Sequence, residues 1–133
     1  MFVTAIDFWP NGKQQRVEDP TWDFVDARLR LLDGEVNDGV LMDSGGDSYM
    51  GISGGEHGRY IVAGYLDGFG SYICASGKVG GALLEVVVTA DYNTYESKHV
   101  VGIETVISAA KEFFERGVLS EELNWEKQES GHW

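Results

Sequence analysis

Apolar residues recur at two different rhythms along this chain, and each rhythm predicts a different kind of element. In EDPTWDFVDARLRLLDG, Trp22, Val25, Leu29 and Leu32 fall at i, i+3, i+7 and i+10, the spacing of one helical face. Asp19 is expected to cap this helix, with Pro20 at its first helical position and Gly34 at its end. A short strand from Phe2 to Phe8 precedes it. Beyond residue 36 the rhythm shortens to brief apolar runs punctuated by glycine. GVLM and SYMGIS flank DSGGD, which reads as a hairpin, and GGEHG turns into RYIVAGYL. Asp67-Gly68 reads as a two-residue turn into FGSYICAS. The connector GKVGG leads to ALLEVVVTA, and DYNT is expected to turn the chain into YESKHVV. Strands in succession joined by short turns imply an antiparallel meander.

After residue 101 the helical period returns. Ile103, Val106, Ile107, Ala110, Phe113 and Phe114 share a face, with Glu104, Lys111, Glu112 and Glu115 opposite. Glu112 and Arg116 sit at i, i+4, and Gly117 is placed to end the helix in a left-handed conformation. VLSEELNWE is expected to return as an extended strand or arm, with Leu123 and Trp125 pointing inward. The pattern therefore predicts an α+β fold: a single antiparallel meander sheet of six to seven strands with two packed helices. One domain spans residues 1–133, with a strand and helix in 1–34, the meander in 36–101 and a helix and arm in 103–127.

Composition sharpens this picture. At 133 residues and 43% hydrophobic, the chain can build one core without disulfides or a metal. The single cysteine, Cys74, excludes an internal disulfide and reads as a small buried strand residue. The start, MFVTAIDFWPNGK, lacks the basic region and cleavage site of a signal peptide, and no apolar run is long enough to span a membrane. The chain is expected to be cytoplasmic. Its net charge is −12, from 22 acidic and 10 basic residues. Such a field repels nucleic acid and anionic membranes and accelerates encounter with a basic partner.

A search for catalytic chemistry yields little. Gly51-Ile52-Ser53-Gly54-Gly55 matches the G-x-S-x-G nucleophile pattern, which works only where a strand turns sharply into a helix. Here the following residues read as turn and strand, so a small serine hydrolase using Ser53 is the weaker reading. His57, His99 and His132 lack metal-ligand spacing, His57 falling in a turn and His99 in a strand. Asp43-Ser44-Gly45-Gly46-Asp47 lacks the order of a calcium loop. No catalytic residue, cofactor or metal site is expected. What remains is a β surface rich in acidic and aromatic residues. It includes Tyr49, Tyr60, Tyr65, Phe69, Tyr72, Tyr92 and Tyr95, of which two to four are expected at an interface.

The stretch VVGIETVISAAKEFFERGVLSEELNWE resembles the end of the first-numbered family of immunity proteins from bacterial polymorphic toxin and contact-dependent growth inhibition systems. Members close with an alanine-rich helix, a Phe near its end, a glycine break and a Trp-Glu pair. Here these fall on Ala109, Ala110, Phe113 or Phe114, Gly117, Trp125 and Glu126. The similarity loosely covers residues 36–127. The chain departs from the pattern after Gly117, where Val118-Leu119-Ser120 replaces the Arg-Pro that members often carry. The Trp-Glu pair reads as a structural signature rather than a contact site. The resemblance implies a non-enzymatic protein that neutralises a cognate toxin, such as a nuclease or deaminase, which tends to be basic. An acidic module for another protein or for carbohydrate is the alternative. Because turns project from a rigid sheet, the expected toxin interface comprises Asp43, Asp47, Tyr49, Glu56, Asp67, Phe69, Asp91 and Tyr92.

Overall fold

The computed structural model describes residues 2–76, 83–88 and 91–128. Among these, side-chain detail is confined to residues other than 83, 85, 87, 88 and 91–93. In chain order the elements are β1 (Ala5–Phe8), β2 (Gln15–Glu18), α1 (Trp22–Arg30), β3 (Gly39–Asp43), β4 (Tyr49–Gly54), β5 (Tyr60–Leu66), β6 (Gly70–Ala75), β7 (Leu83–Val88), β8 (Asp91–Glu96), α2 (Ile103–Arg116) and β9 (Asn124–Gln128). Seven strands form one antiparallel sheet in the order β2-β1-β3-β4-β5-β6-β9. The fold is α+β, with a meander-like run from β3 to β6 and two helices packed on one face.

Alternation along the strands builds the main core. Ile6, Phe8, Val40, Met42, Met50, Ile52, Val62 and Cys74 meet Val25 and Leu29 of α1 and Val106, Ala110, Phe113 and Phe114 of α2. Both phenylalanines of α2 are buried, as their spacing predicts, and Trp22 packs on Phe114 with ring centroids 5.6 Å apart, joining the helices. Gly117 ends α2 at φ +69°, its N–H donating to the carbonyl of Phe113. Burial raises the thiol pKa of Cys74 to about 11.

The sheet is also covered in part on its second face. Ile61, Ala63 and Ile73 point away from the helices and cluster with Val86 of β7, with Tyr95 of β8 and Val100 packed alongside. This makes β5 buried on both sides from Tyr60 to Gly64 and explains its nearly continuous apolar sequence. Gly54 allows the close approach: at φ +105°, an added Cβ would come within 2.9 Å of Val86. No helix among the described residues is long and apolar enough to cross a membrane.

Several local expectations are corrected. The cap of α1 is Thr21, whose Oγ1 accepts the Phe24 N–H at 3.2 Å. Asp19 lies two residues before the cap, and its φ of +49° is outside the extended region that an N-cap adopts. The polar strand β2 (QRVE) lies at the sheet edge, where one side needs no apolar residues. Within ALLEVVVTA, Leu83–Val88 does not extend the main sheet; β7 pairs with β8 in a separate two-stranded sheet. DYNT is strand rather than turn, since β8 begins at Asp91. His99 lies in a 3-10 turn, Ser97–His99, not in a strand. The expected return of the C-terminal arm as an extended strand holds: β9 takes the place beside β6.

Candidate functional site: the acidic, aromatic end of the sheet

The β3–β4 loop and the β5–β6 turn emerge at the same end of the sheet, and one buried serine ties them together. Ser48 Oγ accepts the Asp67 N–H at 2.9 Å, while the Ser44 hydroxyl donates to the Ser48 carbonyl at 2.6 Å. Behind this tie, Tyr49 and Tyr65 are direct cross-strand partners. Their rings stack with centroids 5.9 Å apart and planes 20° apart, and both remain half-exposed. Cross-strand aromatic pairs of this kind stiffen a sheet end.

The β5–β6 turn has an extra residue. Leu66 accepts the Phe69 N–H at 2.9 Å, so Asp67 and Gly68 are its central residues as the sequence suggests. The ladder nevertheless resumes with Leu66 opposite Gly70. Phe69 is thereby left outside the pairing and is 67% exposed, an unusual position for a phenylalanine.

Asp43 belongs to this end but is already engaged. Its Oδ1 accepts the Gly45 N–H at 2.9 Å, and Arg16 Nη2 reaches its Oδ2 at 3.0 Å. The backbone N–H of Gly45, with Arg16 assisting, holds the Asp43 carboxyl below its usual pKa. The same guanidinium binds Asp7 at 2.8 Å and Glu18 at 2.9 Å. Asp7 is buried, so Arg16 supplies the partner charge that its burial requires. Asp47 and Asp67 differ: both are exposed, and neither carboxylate is matched by a cation among the described residues.

Five of the expected interface residues therefore converge: Asp43, Asp47, Tyr49, Asp67 and Phe69. Glu56 does not join them. It sits in the β4–β5 turn at the opposite end of the sheet, against Gly34, and pairs with His57 at 3.2 Å. The backbone of Asp91 and Tyr92 lies in β8, and their side chains fall outside the described residues. Tyr60 is core and Tyr95 packs on the second face. Sequence reading did not pair Tyr65 with Tyr49: closing the hairpin symmetrically around GGEHG sets Tyr49 opposite Ala63, whereas the observed register, with Gly54 opposite Tyr60, sets it opposite Tyr65. Nothing in the sequence signalled the tie from Ser48 to Asp67.

Ser53 lies within β4, paired with Gly39 and Ile61. A 3-10 turn and then β5 follow it, so no strand-to-helix elbow forms there. His132 lies outside the described residues.

The Trp-Glu pair has clear structural work. The Trp125 indole N–H donates to the Ser120 carbonyl at 3.0 Å, closing the loop after α2, while the ring packs on the main core. Glu126 turns the other way, 3.1 Å from His99 Nε2 and 3.4 Å from Lys98 Nζ. Its hydrogen bond to His99, helped by Lys98, lowers the Glu126 pKa. Trp125 thus ties β9 to the loop after α2, and Glu126 ties it to the 3-10 turn Ser97–His99 that follows β8. Comparison with known proteins matched no family model and no curated protein.

Proposed function

We propose that the protein is a non-enzymatic immunity protein that binds and neutralises a cognate bacterial toxin domain in the cytoplasm, a basic enzyme acting on nucleic acid such as a nuclease or deaminase. The observation that carries this reading is the sheet end itself: two unmatched carboxylates, Asp47 and Asp67, on tied loops beside Phe69 and the Tyr49–Tyr65 stack. Aromatic anchors within a charged rim are the chemistry of protein interfaces. The net charge of −12 favours a basic partner, and nucleic-acid enzymes are basic because they hold phosphate. The resemblance of residues 102–126 to immunity proteins points the same way.

The reading is tested by mixing the purified protein with the toxin domain encoded beside its gene and following association at increasing salt. Tight binding, with an on-rate that falls as salt rises, is expected. Absence of binding overturns the assignment.

A further inference from the structure

We infer that this sheet end recognises arginine in particular: a partner guanidinium stacks on the exposed surface of the Tyr49–Tyr65 pair and Phe69 while Asp47 and Asp67 take its N–H groups. This deepens the proposed function and rests on its basic partner. Among the described residues, Asp47 and Asp67 are not alone in lacking a cation, since Glu104, Glu115, Glu121 and Glu122 are also exposed and unpaired, but the acidic groups of the neighbouring strands β1 to β3 already have one. Asp7, Glu18 and Asp43 share Arg16, Asp26 holds Arg30, Glu112 holds Arg116, and Glu96 and Glu126 share Lys98. At the tied loops the carboxylates are unmatched, and Asp47 lies two residues from Tyr49 while Asp67 lies two residues from both Tyr65 and Phe69, aromatic residues that keep exposed surface.

That combination selects a guanidinium over an ammonium. A guanidinium is planar and weakly hydrated, so one face can lie on an aromatic ring while its edge donates in a fork to carboxylates. An ammonium is a compact, strongly hydrated charge and gains less from the ring. The neighbouring Arg16 shows that these strands accommodate a guanidinium among several carboxylates, with N–O distances of 2.8–3.0 Å. The site is also preorganised. Ser48 fixes the two loops relative to each other, and the cross-strand register fixes the rings. Arginine and lysine both grip phosphate in nucleic-acid enzymes, arginine with a planar, bidentate fork. Covering such an arginine with two carboxylates would remove a phosphate contact from the partner.

The test uses the full chain and short peptides that differ only at two positions: arginine, lysine or the uncharged isostere citrulline. NMR titration with the arginine peptide should move the ring signals of Tyr49, Tyr65 and Phe69 and the amides of Asp47 and Asp67. The lysine peptide should bind about threefold to fivefold more weakly, and the citrulline peptide should not bind measurably. Tyr65→Ala should weaken the arginine peptide by a similar factor, while Tyr65→Phe, which keeps the ring, should restore it. If Tyr65→Ala disturbs the fold, the double variant Asp47→Asn, Asp67→Asn supplies the same test without touching the stack. Equal affinity for lysine and arginine, or shifts confined to other surfaces, would overturn the inference. Toxin binding that survives both sets of substitutions would overturn it too and leave the immunity assignment standing. Failure of the toxin itself to bind would remove the assignment instead.

Discussion

The ring of Phe2 lies directly over Gly117, so closely that a Cβ on Gly117 would come within 2.5 Å of it. Gly117 thus answers two demands at once: a left-handed φ of +69° at the end of α2 and a bare backbone beneath an aromatic ring. The ring in turn meets Phe113 edge-on, with centroids 5.4 Å apart. Gly117→Val should destabilise by about 2–5 kcal/mol, combining backbone strain with overpacking. Denaturant titration checks this, and a loss below ~1 kcal/mol would contradict the geometry.

Phe113 is fully buried at the junction of α2, the sheet and Phe2. Phe113→Ala should cost about 3–5 kcal/mol. Because a domain's total stability is about 5–15 kcal/mol, a large drop in the urea midpoint is expected. An unchanged midpoint would mean that α2 does not pack as described.

Glu126 supplies a pH-dependent contribution with a definite sign. Its folded pKa is lowered, chiefly by the His99 hydrogen bond. The stabilisation is therefore complete above its unfolded pKa of ~4.3 and is lost as pH falls through the lower folded value. Glu126→Gln should reduce the melting temperature at pH 7. The difference from the unmodified protein should close on acidification from pH 5 to pH 3. A difference that stayed constant across that range would show that Glu126 acts through shape alone.

Cys74 is buried and its thiol pKa is pushed up to about 11. It should resist iodoacetamide in the native protein at pH 8 and react fully in urea. Mass spectrometry of the two samples gives the answer directly; rapid native labelling would place the thiol on the surface.

The two ends of the sheet should contribute unequally to partner encounter. Reversing Asp47 and Asp67 to Lys should slow association with the basic partner by roughly tenfold at low salt. Glu56→Lys, at the far end, should change it much less, and Ser53→Ala should leave both binding and growth protection intact. Stopped-flow rates across salt decide the first comparison. Hydrolytic activity that vanished with Ser53→Ala would replace the binding reading with an enzymatic one.

Much of the fold was legible because its elements keep clean periods. The face from Ile103 to Phe114, the buried alternation of β3 and β4, and the stop at Gly117 all follow from local rules. What stayed hidden was decided between elements. β2 is polar because it is an edge strand. β7 and β8 read as further meander strands, yet they lie across the sheet's second face. Whether an apolar strand pairs edge to edge or packs face to face is not written in its own residues. The candidate site shows the same division. Its acidic turns and aromatic residues were visible, but register brings Tyr65 against Tyr49 and topology sends Glu56 to the opposite end. Nor does Asp43 announce that an arginine from β2, 27 positions away in sequence, has already claimed it.

The position of β9 has a consequence for how the protein is made. β6 gains its second neighbour only when Asn124–Gln128 arrive, with Ser71 waiting for Gln128 and Ala75 for Asn124. On the ribosome, one side of β6 therefore stays open while the hairpin and α2 are still being synthesised. Trp125 cannot close its loop onto Ser120 until the same moment. Sheet completion must then follow translation through residue 128, and such non-local pairing is slow relative to helix formation. A ribosome stalled before residue 124 would carry a nascent chain with an unsatisfied strand edge, a natural target for a chaperone.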